Sequence, residues 1–466
     1  MKVAAALAPA LAAALLASGC ALQSPPDRAQ LVQQELPNLK LPPAWVAGGA
    51  ERPAGALPSD WLATFNDPRL TALADEALRY NVDLRAAAAR VEAAAAAVQI
   101  TDGALYPIVG LAARTSGKAT GDTGQLSGVI VSATWELDLW GRVRYGQRAA
   151  ELGYASSQAD YRFAQLSIVA TVAKSWFLAT EALQQQRLVA DSTAAATQLL
   201  ALAEQRVRVG VGSDLEVAQA RANLQSYRDQ ALQIQLAVAE SRRALELLLG
   251  RYPAAELQTS AEFLPLPPPA PAGVPSQLLE RRPDVIAAER RVAAAFDRVG
   301  EAQAARLPRL SLTAALSSIS SSVFVLQDRN NPSGGFGATL LAPIFDGGAL
   351  KAQVELRTAE QQQAAAAYAQ TAQRAFNEVE SALAKQATLA AREPVLVQGV
   401  ADNARTFELE QVRYRVGSRD QRNLTQQQLS VYAARMSLLR LHTEQRVQLV
   451  QLHLALGGDL AIAPSP

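Results

Sequence analysis

The sequence predicts a mainly α chain with a small β part, in which one helix–strand–strand–helix unit is written twice. Three observations predict this. Matching residues recur at a near-constant spacing: Asp83 and Asp284, like Pro107 and Pro308, lie 201 positions apart, and Gly210 and Gly417 lie 207 apart. Two alanine-rich stretches run to those glycines, too long for ordinary globular helices, which average about 11–12 residues. Between the helical stretches, short segments alternate apolar and polar residues with the period of a strand.

Composition narrows the chemistry. The 466 residues are 49% hydrophobic and 19% charged, with a net charge of +1, so no basic field points to nucleic acid. One cysteine excludes an intramolecular disulfide and a zinc site of several cysteines. The two histidines, His442 and His453, are about 16 Å apart along a helix and cannot share a metal. Gly334–Gly337 has the flavour of a phosphate loop but opens a strand rather than a helix. We therefore expect no catalytic residues, no metal, no cofactor and no enzyme activity.

The elements follow in order. Residues 1–19 read as a signal peptide: Lys2, an apolar run from Val3 to Ala17, then small residues. Cys20 follows Ala17-Ser18-Gly19, which resembles the lipobox of bacterial lipoproteins, with alanine where leucine is usual. Such a cysteine carries acyl chains, and two or three of them make a stable anchor at about 0.8 kcal/mol per buried CH₂. Ala21, in place of an aspartate, points to the outer rather than the inner membrane. Residues 20–59 read as a lipid-anchored extended segment.

The first repeat covers 60–250. A helix over 82–104 ends before Pro107, because the residue before proline avoids helical geometry. Strands follow at about 105–117 and 126–140. A long helix from about Arg142 to Val209 spans about 100 Å at 1.5 Å per residue. It breaks at Gly210, where glycine ends helices readily, and a tip turn over 210–213 leads to a return helix to about Leu249. The proline-rich stretch 251–275 reads as the linker. The second repeat, 276–457, has a helix at 283–306, strands at about 308–320 and 335–345, a long helix from Ala349 to Val416, a tip turn over 417–419 and a return helix to Leu456. Residues 458–466 form a tail.

From Val129 to Trp140 one face reads Val129, Val131, Ala133, Trp135, Leu137, Leu139 and the other Ile130, Ser132, Thr134, Glu136, Asp138, Trp140. Apolar-out, polar-in alternation marks a transmembrane β-barrel, and equally a half-buried soluble sheet. In an exported chain the barrel is favoured. Four strands cannot close around a lumen. Two chains supply eight strands, a barrel filled by side chains; three supply twelve, enough for a channel, so a homotrimer embedded in outer-membrane lipid is expected.

At this point a family resemblance is carried by particular residues. Asp60-Trp61, Phe65-Asn66-Asp67-Pro68, Leu70, Leu73, Asn81 and Asp83-Leu84 resemble the start of TolC-type outer-membrane efflux proteins, of the NodT/OprM-like lipoprotein branch. Leu278–Val285 (LLERRPDV) is similar to the second-repeat signature, and Pro343–Gly348 (PIFDGG) also matches. The resemblance implies a trimeric 12-stranded outer-membrane β-barrel on a long periplasmic α-helical barrel. It also implies docking to a periplasmic adaptor (membrane fusion) protein and an inner-membrane pump, with export of drugs or other small toxic compounds. Type I secretion and heavy-metal efflux keep the fold and change the cargo. A non-porous periplasmic coiled-coil lipoprotein is the distant alternative.

The resemblance further implies a lock at the tips, made of a tyrosine three before the second glycine, an arginine two after it, and an acidic residue six after the first. Those positions hold Tyr414, Arg419 and Glu216. The R-x-G turns Arg208-Val209-Gly210 and Arg415-Val416-Gly417 are the expected adaptor contacts. The sequence departs from the family next to them. Where related channels carry acidic residues, Asn423 and Gln426 stand, and Arg422 replaces a leucine or valine. The expectation is a gate with a ring of arginines and weakened cation selectivity.

Overall fold

The computed structural model describes residues 22–47, 60–116, 126–321, 333–416, 418 and 421–458. Cys20, Gly417, Arg419 and Asp420 lie outside the described residues. The chain is mostly helical. Its elements are α1 (Arg28–Glu35), a 3-10 turn (Leu62–Phe65), α2 (Pro68–Tyr80), α3 (Val82–Gly103), β1 (Ile108–Ser116), β2 (Leu126–Leu137), α4 (Arg142–Arg208) and α5 (Asp214–Leu248), then α6 (Pro275–Arg281), α7 (Pro283–Ala304), β3 (Arg309–Ser321), β4 (Ser333–Leu341), α8 (Ala349–Arg415) and α9 (Gln421–Ala455). α3 and α7 are each 22 residues long, α4 and α8 67, and α5 and α9 35.

The helix ends fall within two residues of their expected places, as do both ends of β3; the start of β1 and the ends of β2 and β4 do not. β2 stops at Leu137 although alternation continues to Trp140. The Asp138 carboxylate instead accepts the N–H groups of Val143 and Arg144, both at 3.0 Å, and so caps α4. Trp140 turns out of the strand and donates from Nε1 to the Pro308 carbonyl at 2.7 Å. Asp346 caps α8 in the same manner, through Gly348 and Leu350 at 2.9 and 2.7 Å. β1 starts only at Ile108, because Leu105 and Tyr106 continue α3 as a turn, their N–H groups bonded to Asp102 and Gly103.

Two compact units divide the chain: residues 1–39, 88–160 and 284–371 in one, and 40–87, 161–283 and 372–466 in the other. The first holds a four-stranded antiparallel sheet in the order β1-β2-β3-β4. Its register aligns Val109, Ala133, Ala314 and Phe336 in one row, and Trp135, Leu312 and Ala338 in another. Leu111, Val131 and Leu316 share the same face. The opposite face carries Gly110, Ser132, Ala315 and Gly335 in one row and Ile108, Thr134, Thr313 and Gly337 in another. Within the chain the apolar face is uncovered: Leu111 is 72% exposed and Phe336 96%. A soluble sheet would bury that face, since each large apolar side chain withdrawn from water is worth about 1.5–3 kcal/mol.

In the second unit, Val189 and Ala196 of α4 pack with Leu224 and Tyr227 of α5, backed by Leu429 and Tyr432 of α9. The helix ends are tied by a repeated device. Asn81, just before α3, donates from Nδ2 to the Leu248 carbonyl at 2.9 Å, and Arg282, just before α7, donates from Nη1 to the Ala455 carbonyl at 3.2 Å. Gly250 and Gly457 follow these helix ends at φ of +71° and +69°. A Cβ on Gly250 would stand 2.7 Å from the Tyr80 carbonyl oxygen, and one on Gly457 3.0 Å from the Arg282 Cα. Arg282 is nearly buried; it pairs with Glu378 at 2.6 Å and lies over the Phe163 ring. Breaking one partner of such a pair costs about 3–5 kcal/mol.

Residues 251–274 carry no helix or strand. Buried Glu246 holds their start, accepting from the N–H groups of Ala255, Glu256 and Leu257 at 2.7, 2.7 and 2.9 Å. Those bonds outweigh the cost of burial and keep its carboxyl below the usual range. Trp45 lies on Phe376 and donates to the Ala272 carbonyl at 3.0 Å.

Candidate functional site

The α4–α5 turn is shaped by two glycines. Arg206 is the carbonyl that receives it: the N–H groups of Val211 and Gly212 both donate to it at 3.0 Å. Gly210 takes φ +79°. Gly212 sits so close that a Cβ would meet the Val207 nitrogen at 2.8 Å. Ser213 then opens α5 with a capping box: Ser213 Oγ accepts from Glu216 N, and the Glu216 carboxylate accepts from Ser213 N, both at 3.3 Å.

The Glu216 carboxylate also stands 3.9 Å from Arg206 Nε. From α4, the Arg206 guanidinium reaches two other elements. Nη1 donates to the Tyr414 carbonyl at 3.2 Å and Nη2 to the Val211 carbonyl at 3.2 Å. Its carbon lies 4.8 Å from the Tyr414 ring centroid, a cation–π contact. Tyr414 is fully buried with Leu199 and Leu424, against Leu202 and Phe407. Its hydroxyl makes no hydrogen bond among the described residues. Burial raises the Tyr414 pKa, Glu216 adds to the rise and Arg206 opposes it. Tyr414 and Glu216 are therefore brought together around Arg206, a residue the sequence reading passed over. The fourth-before-glycine position of Arg206 and the Ser213-x-x-Glu216 box were both visible signals.

On the α8 side, Ser418 N and Oγ donate to the Arg413 carbonyl at 3.0 and 3.1 Å, and Arg413 pairs with Glu410 at 3.2 Å. Arg208 and Arg415 are exposed, as are the neighbouring Val209, Val211, Leu215 and Val416. Arg422 and Gln426 lie one helical turn apart on the exposed face of α9, while Gln421, Leu424 and Gln428 point inward. Gln428 links three helices: it accepts from Asn223 Nδ2 at 3.3 Å and donates to the Ser192 carbonyl at 3.2 Å.

The two histidines are engaged separately. His442 Nε2 lies 3.5 Å from Glu393. His453 is buried and stacked on Trp61 at 5.3 Å, and burial pushes its pKa down to about 4. Gly334–Gly337 lies within β4.

An exposed apolar sheet face on a mostly helical chain fits an outer-membrane channel protein, whose strands turn that face to lipid. The chain is a member of the outer membrane efflux protein family, whose profile it matches over residues 73–251 and 274–458. It is 30% identical over 411 residues to the cation efflux system protein CusC of Escherichia coli K12, covering 85% of this chain and 88% of that one. To the outer membrane protein OprJ of Pseudomonas aeruginosa it is 31% identical over 437 residues, 91% of either chain. Its fold matches the open state of the Neisseria gonorrhoeae MtrE outer membrane channel with a TM-score of 0.79 and 27% identity, over 94% of this chain and 98% of that one. The expected family and its outer-membrane efflux role agree with these likenesses.

Proposed function

We propose that this chain is the outer-membrane channel of a tripartite efflux system of the RND type, working as a homotrimer with a periplasmic adaptor protein and an inner-membrane pump. Three copies pool four strands each into a 12-stranded barrel, continued by a periplasmic helical barrel. The carrying observation is the open sheet with its uncovered apolar face. Among the described residues β1 and β4 leave unpaired edges, and each unpaired backbone group in lipid costs several kcal/mol. Pairing β4 of one copy with β1 of the next removes those edges. The equal helix lengths and the matched ties at Asn81–Leu248 and Arg282–Ala455 support a duplicated unit, with repeats over 60–250 and 276–457 around the 251–275 linker.

Conduction through a wet duct needs no catalytic residue, so the chain is not an enzyme. Removal of the signal peptide 1–19 leaves Cys20 to carry the lipid anchor of the 20–59 segment. The tips close the duct when idle. Glu216, Tyr414 and Arg419 hold them, and Arg422 and Gln426 line the constriction. Arg208, Gly210, Arg415 and Gly417 meet the adaptor, where the exposed Val209, Val211 and Val416 add apolar area. Single-channel recording tests the gate: neutralising Glu216 or Arg419 raises conductance, and unchanged conductance in both variants rejects the lock. Reversal potentials in a salt gradient test the arginine ring, since strong cation selectivity contradicts it.

Metal efflux is the second reading, favoured by the 30% identity to CusC. The likeness to OprJ is of the same degree. Complementation of an efflux-deficient strain, challenged separately with toxic metal cations and with dyes, decides between them.

A further inference from the structure

α3 and α7 have equal lengths and unequal cover. Val285, Ala287, Ala288, Val292 and Ala294 of α7 are buried, whereas no residue of α3 from 88 to 103 is buried within the chain. The helix that covers α7 is α4. Tyr145 lies against Gly300, where a Cβ would come within 2.6 Å of its ring, and Gly146 lies beside Glu301. Arg148 pairs with buried Asp297 at 2.6 Å, and Ser156 Oγ donates to the Ala287 carbonyl at 3.1 Å. β2 leads into α4 and α7 leads into β3, so β2–β3 and α4–α7 form one junction of strand on strand and helix on helix. The counterpart of α4 is α8, and none of its residues from 349 to 364 is buried.

The counterparts can be matched residue by residue. A step of 201 positions carries α3 onto α7, and a step of 207 carries α4 onto α8. The same steps carry the β1–β2 register onto the β3–β4 register. Ile108 opposite Thr134 becomes Arg309 opposite Leu341, and Leu111 opposite Val131 becomes Leu312 opposite Ala338; both are observed pairs. Applied to β2–β3, the steps describe a junction that the single chain does not contain, between β4 and another β1. Thr134 opposite Thr313 becomes Leu341 opposite Ala112, and Ala133 opposite Ala314 becomes Leu340 opposite Ala113. Leu137 opposite Leu310 becomes Ile344 opposite Val109, which are 91% and 70% exposed in the single chain. In the helices, Gly146 beside Glu301 becomes Gln353 beside Ile100. Buried Ala149, one turn further along α4, becomes Leu356. Leu356 and Ile100 are both exposed in the single chain and fall on this one seam. The Arg148–Asp297 pair becomes Glu355 and Ala96, so the second seam lacks that ion pair and rests on apolar contact.

We propose that the partner of the bare α3 is a second copy of this chain, and that the contact between copies repeats the junction inside each one. β4 of one copy pairs with β1 of the next, Leu340 opposite Ala113, and α8 lies on α3 with Leu356 against Ile100. This rests on the trimeric reading above and adds to it a register and a helical seam. The contact is head-to-tail, of the kind that closes into a ring, and each large apolar side chain it withdraws from water contributes about 1.5–3 kcal/mol.

Double-cysteine variants of the full-length protein test the register. Leu340→Cys with Ala113→Cys, and Leu341→Cys with Ala112→Cys, are purified from outer membranes, oxidised in mild detergent and run on non-reducing gels. Single-cysteine variants supply the background from Cys20. Ladders of linked dimer and trimer are expected in both pairs. They should be absent when Leu340→Cys is combined with Leu111→Cys or with Thr115→Cys. A shift of two residues displaces the partners by about 6.8 Å along the strands, beyond the roughly 7 Å between Cα atoms that a disulfide spans. A three-chain species in native mass with its ladder at a shifted pair overturns the register and leaves the trimer standing. A single chain in native mass overturns both. Ile100→Asp and Leu356→Asp test the seam, since neither alters a residue that is buried in the single chain. Loss of the three-chain species with helicity unchanged is expected, and an undiminished trimer in both variants overturns the seam.

Discussion

Arg206 holds Tyr414 by its ring and its backbone, not by its hydroxyl: the guanidinium carbon lies 4.8 Å from the ring centroid and Nη1 donates to the Tyr414 carbonyl at 3.2 Å. One side chain thus joins α4, the turn before α5, and α8. Removing it unties three elements. We expect Arg206→Ala to cost about 2 kcal/mol, from one cation–π contact and two charge-assisted bonds, and to raise single-channel conductance. Tyr414→Phe deletes a hydroxyl without a partner among the described residues. It should leave conductance near the wild type and stability unchanged or about 1 kcal/mol higher. Thermal melting and bilayer recording of the two variants check both halves.

Glu216 has two jobs that one substitution separates. Its carboxylate closes the capping box with Ser213 and faces Arg206 at 3.9 Å. Glutamine can also close such a box. Glu216→Gln should therefore melt within about 0.5 kcal/mol of the wild type and still conduct more. If it conducts as the wild type does, Glu216 is a cap and no more.

The two tip glycines should differ in cost. A Cβ on Gly210 meets nothing within 4 Å, so Gly210→Ala pays only for its positive φ, about 1 kcal/mol. A Cβ on Gly212 would press on the Val207 nitrogen at 2.8 Å, so Gly212→Ala must move the turn. A loss of about 2–3 kcal/mol is expected, visible as faster hydrogen exchange in residues 206–216.

His453 makes stability pH-dependent. Burial lowers its pKa from 6.5 to about 4, so the fold favours the neutral ring. The contribution is complete above pH 6.5 and is lost as pH falls towards 4, by up to about 3 kcal/mol. Melting temperatures at pH 7.5 and 4.5 measure the loss. In His453→Gln the difference should shrink by that amount, while acidic groups elsewhere continue to titrate.

The long helices were legible because their ends are marked: Gly210 and Gly250, at positive φ, end α4 and α5 where glycine is the residue that tolerates it, while Pro394 lies inside α8 without ending it. The strand faces were legible from period two, and the register keeps Val131 and Trp135 on the apolar side as read. The lower end of β2 was not. Asp138 and Trp140 continue the alternation, but the carboxylate of one is drawn to the helix start and the indole of the other to Pro308. Arg206 was missed for a different reason. Its partner Tyr414 is 208 positions away, and no periodicity within one helix reports a contact between two. Glu216 was read for its charge while the serine three places earlier, which fixes its rotamer, went unused.

Four alternating strands find closure only among identical neighbours. Native mass spectrometry of the mature protein in mild detergent measures this directly. One species of three chains is expected, which then opens conducting pores in a planar bilayer. A single chain, stable and monodisperse without detergent, contradicts it.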